Sequence, residues 1–237
     1  MPVRIVDRTP GAVVVVKPAG LASELPRDPT ADSLLRRLAR GGDVDLKLVH
    51  RLDAPACGLV LVARSKGAAA HYAREIEARR WLKWYVARVP VPLEAARRLV
   101  GAHKAFLRTQ GRLAAVVRSG GRPSFLDVVL ATPVPDGTGD SHLLIQLRTG
   151  RFHQIRAMLA SLGAPLTGDA SYGGAGDRPL YLEHVVLASY ADTSGAWTVW
   201  EGPVHADREA WTAELAAAVA AHAVRARTAP PPRDSAP

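Results

Sequence analysis

Apolar residues in this chain fall into short runs broken by turn residues, the signature of many short strands. Residues 12–16 are a β-branched run ending at Lys17-Pro18-Ala19-Gly20, a turn by composition. The next apolar run, Leu48-Val49-His50-Arg51-Leu52-Asp53, is interrupted by a His-Arg pair and closed by a carboxylate. The chain then turns through Ala54-Pro55-Ala56-Cys57-Gly58 and re-enters an apolar run to Arg64. This pattern predicts a strand, a tight loop carrying Asp53 and a second strand. Pro55 excludes a continuous helix, because it has no amide hydrogen and a fixed φ. Residues 81–89 alternate and are aromatic, predicting a strand closed by Pro90 and Pro92. Further strands are predicted at 105–108, 112–118, 125–131, 142–148, 181–190 and 196–200.

Helical spacing occurs in four places. A short helix is expected over 33–40, with Thr30 or Asp32 as cap and Leu34, Leu35 and Leu38 on one side. Residues 67–80 and 207–227 are Ala-rich and helical in period. The span 151–162 places Ile155, Met158, Leu159 and Leu162 on one face and stops at Gly163-Ala164-Pro165. Residues 21–30, 133–140 and 166–179 read as loops, and 228–237, rich in Pro and Ala, as a disordered tail. Many short strands with a few helices and no internal repeat give an α+β fold.

Composition narrows the function. The 237 residues are 48% hydrophobic and 22% charged, enough for a sizeable core without staples. Lys and Arg number 31 against 22 Asp and Glu, a formal net charge of +9, which favours a polyanionic partner or reflects an Arg-rich proteome. One cysteine, Cys57, allows no internal disulfide and no cysteine metal cluster. The run Val13–Val16 is too short for a signal peptide and is followed by Lys17-Pro18, and no apolar stretch approaches spanning length. A cytoplasmic protein away from the membrane is expected.

Between Ala95 and Leu126 stand seven basic residues, Arg97, Arg98, Lys104, Arg108, Arg112, Arg118 and Arg122, and no acidic one. On short strands such a run makes a sustained positive field suited to phosphates, unless acids from elsewhere in the fold neutralise it. Asp53, on a short loop between buried strands, is placed as a nucleophile or general base would be, or else caps a turn.

Three stretches together resemble the pseudouridine synthases of the RluA type. They are His50-Arg51-Leu52-Asp53 with Gly58-Leu59; Lys83-Trp84-Tyr85-Val86-Ala87; and Thr149-Gly150-Arg151-Phe152-His153-Gln154-Ile155-Arg156, followed by Gly163-Ala164-Pro165 and Gly168-Asp169-Ala170-Ser171-Tyr172-Gly173. The opening Val15-Val16-Lys17-Pro18-Ala19-Gly20-Leu21 is similar to the family's first strand, so the likeness runs over about residues 4–200 in the family's order. It implies a mixed, mainly antiparallel sheet in two halves, with flanking helices and a central catalytic cleft. It also implies isomerisation of uridine to pseudouridine in ribosomal or transfer RNA, with no metal and no cofactor. By motif position Asp53 is the catalytic aspartate, Tyr85 packs against the target base and Arg156 pairs with the aspartate. Arg51 contacts RNA near the flipped base, and a guanidinium entering the gap offsets part of the cost of extruding it. His50, Arg151 and His153 lie in the same motifs and are assigned to RNA contact, with Arg108, Arg112 and Arg118 from the basic stretch. Attack on the sugar, attack on the ring and removal of a sugar proton are all open to Asp53.

The chain departs from the family twice. Ala54-Pro55-Ala56-Cys57 replaces a basic residue and a Thr-Ser pair, and Phe152 replaces a threonine. The expected organisation is a catalytic domain over 1–205, a C-terminal helix over 206–227 and the tail over 228–237, as a monomer, with no RNA-binding domain of the S4 kind ahead of it. The main alternative is a non-catalytic RNA-binding protein or RNA chaperone on the same fold. A metal hydrolase using His50, Asp53 and His153 is disfavoured, since eight scattered histidines show no dense ligand spacing.

Overall fold

The structure is a computed structural model that describes residues 3–25, 28, 30–175, 178–202 and 210–232. In chain order its elements are β1 (Arg4–Arg8), β2 (Ala12–Lys17), α1 (Leu34–Arg40), β3 (Lys47–Leu48), β4 (Cys57–Ala63), α2 (Lys66–Glu77), β5 (Leu82–Val89), α3 (Leu93–Arg97), β6 (Gly101–Gln110), β7 (Leu113–Val117), β8 (Arg122–Pro133), β9 (Ser141–Leu147), α4 (Gln154–Ser161), a 3-10 turn (Ala170–Tyr172), β10 (Leu182–Tyr190), β11 (Trp197–Glu201) and α5 (Ala213–Thr228). The chain divides into two compact units. One comprises Met1–Leu82, His184–Pro203 and Ala223–Pro237, and the other Lys83–Glu183 and Val204–His222.

In the first unit the strand order is β1-β2-β4-β10, with β11 on β10 and β3 on β4. The β-branched run of β2 is buried throughout and pairs antiparallel with β4, Val14 opposite Leu61 and Val16 opposite Leu59. Strands hidden on both faces read as unbroken apolar runs rather than as alternation, which is why both were visible in the sequence. Helix α2 packs Ala68 and Tyr72 against Val14, Leu61, Trp81 and Trp200. Ser65 caps it by accepting from the Ala68 amide at 3.0 Å. Each large apolar side chain buried here contributes about 1.5–3 kcal/mol. Gly58, at φ 109°, sits where a Cβ would lie 2.4 Å from the His184 carbonyl oxygen, so only glycine allows β4 and β10 this approach.

The second unit is an antiparallel sheet ordered β5-β9-β8-β6-β7. Tyr85 lies opposite Ile145 and Trp84 opposite Gln146. Arg88, 5% exposed, donates to Asp140 at 2.6 Å, Asp136 at 2.8 Å and Thr138 at 2.8 Å, pinning the 134–140 loop. The Thr138 hydrogen bonds and Arg88 hold the Asp136 carboxyl well below the usual carboxylate range. The result is the expected α+β fold with a mainly antiparallel sheet.

Several boundaries differ from expectation for local reasons. The hairpin at Asp53 is not tight. Only Lys47–Leu48 pairs with β4; beyond it the Leu61 amide of β4 donates to the His50 side chain, and the Leu52 backbone bonds to Ser23. Helix α4 starts at Gln154 rather than at 151, since His153 adopts the left-handed region at φ 52°. The cap of α1 is Ser33, which accepts from Arg36, not Thr30 or Asp32. The predicted tail starts late: Thr228 ends α5, and the Pro231 carbonyl accepts from the Tyr190 hydroxyl at 2.8 Å. Residues 233–237 of that tail, 203–209 ahead of the C-terminal helix, and parts of the 21–30 and 166–179 loops lie outside the described residues.

Candidate active-site elements and a basic surface

Asp53, Arg51 and His50 belong to the first unit, whose residues hold their loop at four points. The Leu61 amide donates to His50 Nε2 at 2.9 Å, so this nitrogen is the acceptor and the ring proton sits on Nδ1. The His50 ring packs edge-on to Trp81 at 5.0 Å and to His184 at 5.9 Å. His50 thus continues the edge of β4 with its side chain, a structural role beyond the RNA contact expected of it. Ser23 Oγ donates to the Leu52 carbonyl at 2.8 Å and accepts from the Leu52 amide at 3.2 Å, while the Leu52 side chain is buried. The Asp53 carbonyl accepts from the Ala56 amide at 3.1 Å, closing the turn. The Ala54 carbonyl accepts from the Gly20 amide at 2.8 Å and from Lys17 Nζ at 3.1 Å. Lys17, fully buried, also donates to the carbonyls of Pro18 at 2.9 Å and Leu21 at 2.7 Å. The Ala-Pro-Ala-Cys departure therefore keeps a loop fixed through its backbone rather than through polar side chains. Arg51 reaches outward and pairs with Glu24 at 2.6 Å, with its side chain 47% exposed.

Tyr85, Arg151, His153 and Arg156 belong to the second unit. Tyr85 is buried on β5, with Lys83 on the same face by strand alternation. Burial, with the Arg151 guanidinium adding to it, lowers the Lys83 ammonium to about 8. The Gln154 side chain organises the approach to α4. Its Oε1 accepts from the Thr149 hydroxyl at 2.9 Å and from the Arg151 amide at 3.0 Å, and its Nε2 donates to the Phe125 carbonyl at 3.0 Å. Arg156 forms a two-pronged pair with Asp169, Nε to Oδ2 at 2.7 Å and Nη2 to Oδ1 at 2.7 Å, both buried. Its guanidinium lies 5.0 Å over the Tyr172 ring. The Tyr172 hydroxyl accepts from the Ala114 amide at 2.8 Å and donates to the Ala114 carbonyl at 3.1 Å, which makes His153 Nδ1, 3.0 Å away, a donor to it. Phe152 stacks on His153 at 3.8 Å.

Asp169, Tyr172 and Lys17 stand in the motifs without a role assigned by the sequence, and Ser23 lies outside them. The signal for the first two was Gly168-Asp169 itself: Gly168, at φ 78°, would place a Cβ 2.3 Å from the Arg178 carbonyl oxygen, fixing the turn that presents Asp169. Trp81 and Trp84 serve packing, Trp84 stacking on His222 at 4.0 Å.

The basic stretch falls on α3, β6, β7 and the turns around them. Arg97, Arg98, Lys104, Arg108, Arg112, Arg118 and Arg122 are all exposed, and none forms an ion pair among the described residues. Lys104 sits 5.4 Å over the Phe106 ring and 5.8 Å over that of Phe125. No group of three or more His, Cys, Asp or Glu side chains among the described residues is arranged to hold a metal ion. No helix among them is long and apolar enough to cross a membrane.

The model of the RNA pseudouridylate synthase family matches residues 11–161. The chain belongs to that family, and within it is of RluA type. It is 32% identical over 164 residues to the dual-specificity RNA pseudouridine synthase RluA of Escherichia coli, covering 68% of this chain and 72% of that protein. Over 206 residues it is 34% identical to an uncharacterized RNA pseudouridine synthase of Chloroflexus aurantiacus, covering 81% of this chain but 62% of that protein's length. The fold is that of human RNA pseudouridylate synthase domain containing 1, with a TM-score of 0.69 at 24% identity, covering 92% of this chain and 95% of that one.

Proposed function

We propose that the protein is an RNA pseudouridine synthase converting a specific uridine of ribosomal or transfer RNA, with Asp53 as the catalytic carboxylate. In that reaction the N1–C1′ bond breaks, the uracil turns and a C5–C1′ bond forms. The hydrogen on C5 leaves to solvent and N1 gains a proton, so atoms and electrons balance without a redox partner. A carboxylate serves such a step as nucleophile or base. Tyr85 offers a ring face to the extruded uracil, Arg51 enters the gap left in the stack, and Arg156 pairs with Asp53 while Asp169 holds its other edge. The fork to Asp169 engages Nε and Nη2 of a guanidinium that carries five N–H donors, and the donors it leaves over support a second acceptor. The observation that carries RNA as partner is the set of seven exposed cations without a described ion pair, which argues against a neutralised face.

The experiment is pseudouridine mapping of total RNA from cells with and without the protein, and with Asp53→Asn. A site that appears with the wild-type chain, persists in excess chelator and vanishes with Asp53→Asn supports the reading. RNA binding with no pseudouridine formed on any RNA supports the RNA chaperone instead.

A further inference from the structure

Lys83 is 7% exposed and makes no hydrogen bond or ion pair among the described residues. A Cβ on Gly150 would lie 3.1 Å from its Nζ, so the ammonium rests against the backbone of the Thr149–Arg151 segment. The charge that acts on it is another cation, the exposed Arg151 next to Gly150 in the chain, whose guanidinium forms no ion pair among the described residues. A buried charge is normally compensated by an opposite one, and a second like charge adds to its cost. Here two cations of the second unit act on each other, and neither has an acidic partner among the described residues.

We propose that Lys83 and Arg151 form a seat for a backbone phosphate of the RNA, beside the nucleotide held at Tyr85. This rests on the RNA-modifying reading above and gives it an anchor that Asp53, Tyr85 and Arg156 do not supply. Lys83 and Tyr85 stand two residues apart on one face of β5, about 7 Å, which is the scale separating a nucleotide's phosphate from its base. A phosphodiester brings acceptor oxygens and one negative charge, which would satisfy the ammonium and relieve the repulsion from Arg151. Glycine at position 150 keeps the space in front of Nζ open.

The test compares wild type, Lys83→Met, Lys83→Arg and Arg151→Met in binding a fluorescein-labelled single-stranded oligouridylate and its neutral methylphosphonate analogue, with melting temperatures alongside. Lys83→Met is expected to weaken oligouridylate binding by about tenfold or more. It should also lower the slope of log affinity against log salt by about 0.7. Arg151→Met should weaken binding in the same sense, Lys83→Arg should retain most of it, and the methylphosphonate should bind all four chains equally poorly. Lys83→Met should also melt higher than wild type, because an uncompensated charge has gone, whereas loss of a structural lysine would melt lower. Unchanged oligouridylate affinity in Lys83→Met, no binding by wild type, saturation by inorganic phosphate with no oligonucleotide competition, or a loss confined to kcat at unchanged affinity would each overturn the seat. The pseudouridine reading fails separately, if wild type forms no pseudouridine while Lys83→Met still loses its phosphate-dependent binding.

Discussion

Lys17 and Lys83 are both buried, one in each unit, and their surroundings are opposite. Lys17 is fully buried at the end of β2 and spreads its ammonium over the carbonyls of Pro18, Leu21 and Ala54. Lys83 is almost as hidden near the start of β5, has no described acceptor and is acted on by the like charge of Arg151. The first lysine is a strut: it ties the turn after β2 to the residue following Asp53. The second is held in an arrangement that the protein alone does not complete. Burial therefore does not by itself separate structural from functional charges; the separation lies in whether the fold supplies the partner.

The strongest way to break this contrast is Lys17→Met. It leaves three carbonyls without their shared donor and frees the loop behind Asp53, so stability should fall by about 2–4 kcal/mol in a urea titration. A loss under about 0.5 kcal/mol, the size of an ordinary surface change, would remove the strut. Lys83→Met should move the other way. The lowering of Lys83 from 10.5 to about 8 means that the folded state disfavours the charged ammonium. The unfolded chain binds the extra proton between these values, so wild-type stability rises with pH across that window. The cost is fully present below pH 8, and Lys83→Met should therefore be more stable than wild type there by about 1–3 kcal/mol. That advantage should shrink as pH rises from 8 toward 10.5, as followed by melting temperature against pH. A pH-independent difference would place the effect in packing. The smallest expected effect is that of Ser23→Ala, which removes both hydrogen bonds to Leu52 and should cost about 1–2 kcal/mol, in the same direction as Lys17→Met. Were Ser23→Ala neutral, the Asp53 loop would be fixed by the Leu61–His50 and Ala56–Asp53 bonds, Lys17 and the Ala54 backbone.

What was legible in the sequence follows from the range of the forces involved. β2 and β4 announce themselves because burial on both faces demands uninterrupted apolar runs, and β5 through the aromatic alternation of residues 81–89. The start of α4 was not legible, because it is decided by the Gln154 side chain bonding to Thr149 and Arg151, which periodicity cannot register. The Asp53 motif could be read, but not what holds it. Lys17 reaches Ala54 and Ser23 reaches Leu52 by bonds to backbone atoms that carry no residue signature. Arg156 was placed by its motif, while its partner Asp169 stood in a neighbouring motif without a sign that the two meet. The basic stretch showed its single sign in the sequence; that its seven side chains are exposed and form no described ion pair took the structure to establish.

The central claim is that Asp53 acts on a uracil so that C5, rather than N1, ends joined to the ribose. Transcribed RNA carrying tritium at uracil C5 reports that event directly, because the label leaves as the new bond forms. Purified wild-type protein should release tritium to water from one uridine per RNA, with pseudouridine recovered in equal amount. Asp53→Asn should release none above the no-enzyme background while binding the same RNA. Release by Asp53→Asn at the wild-type rate would contradict the account.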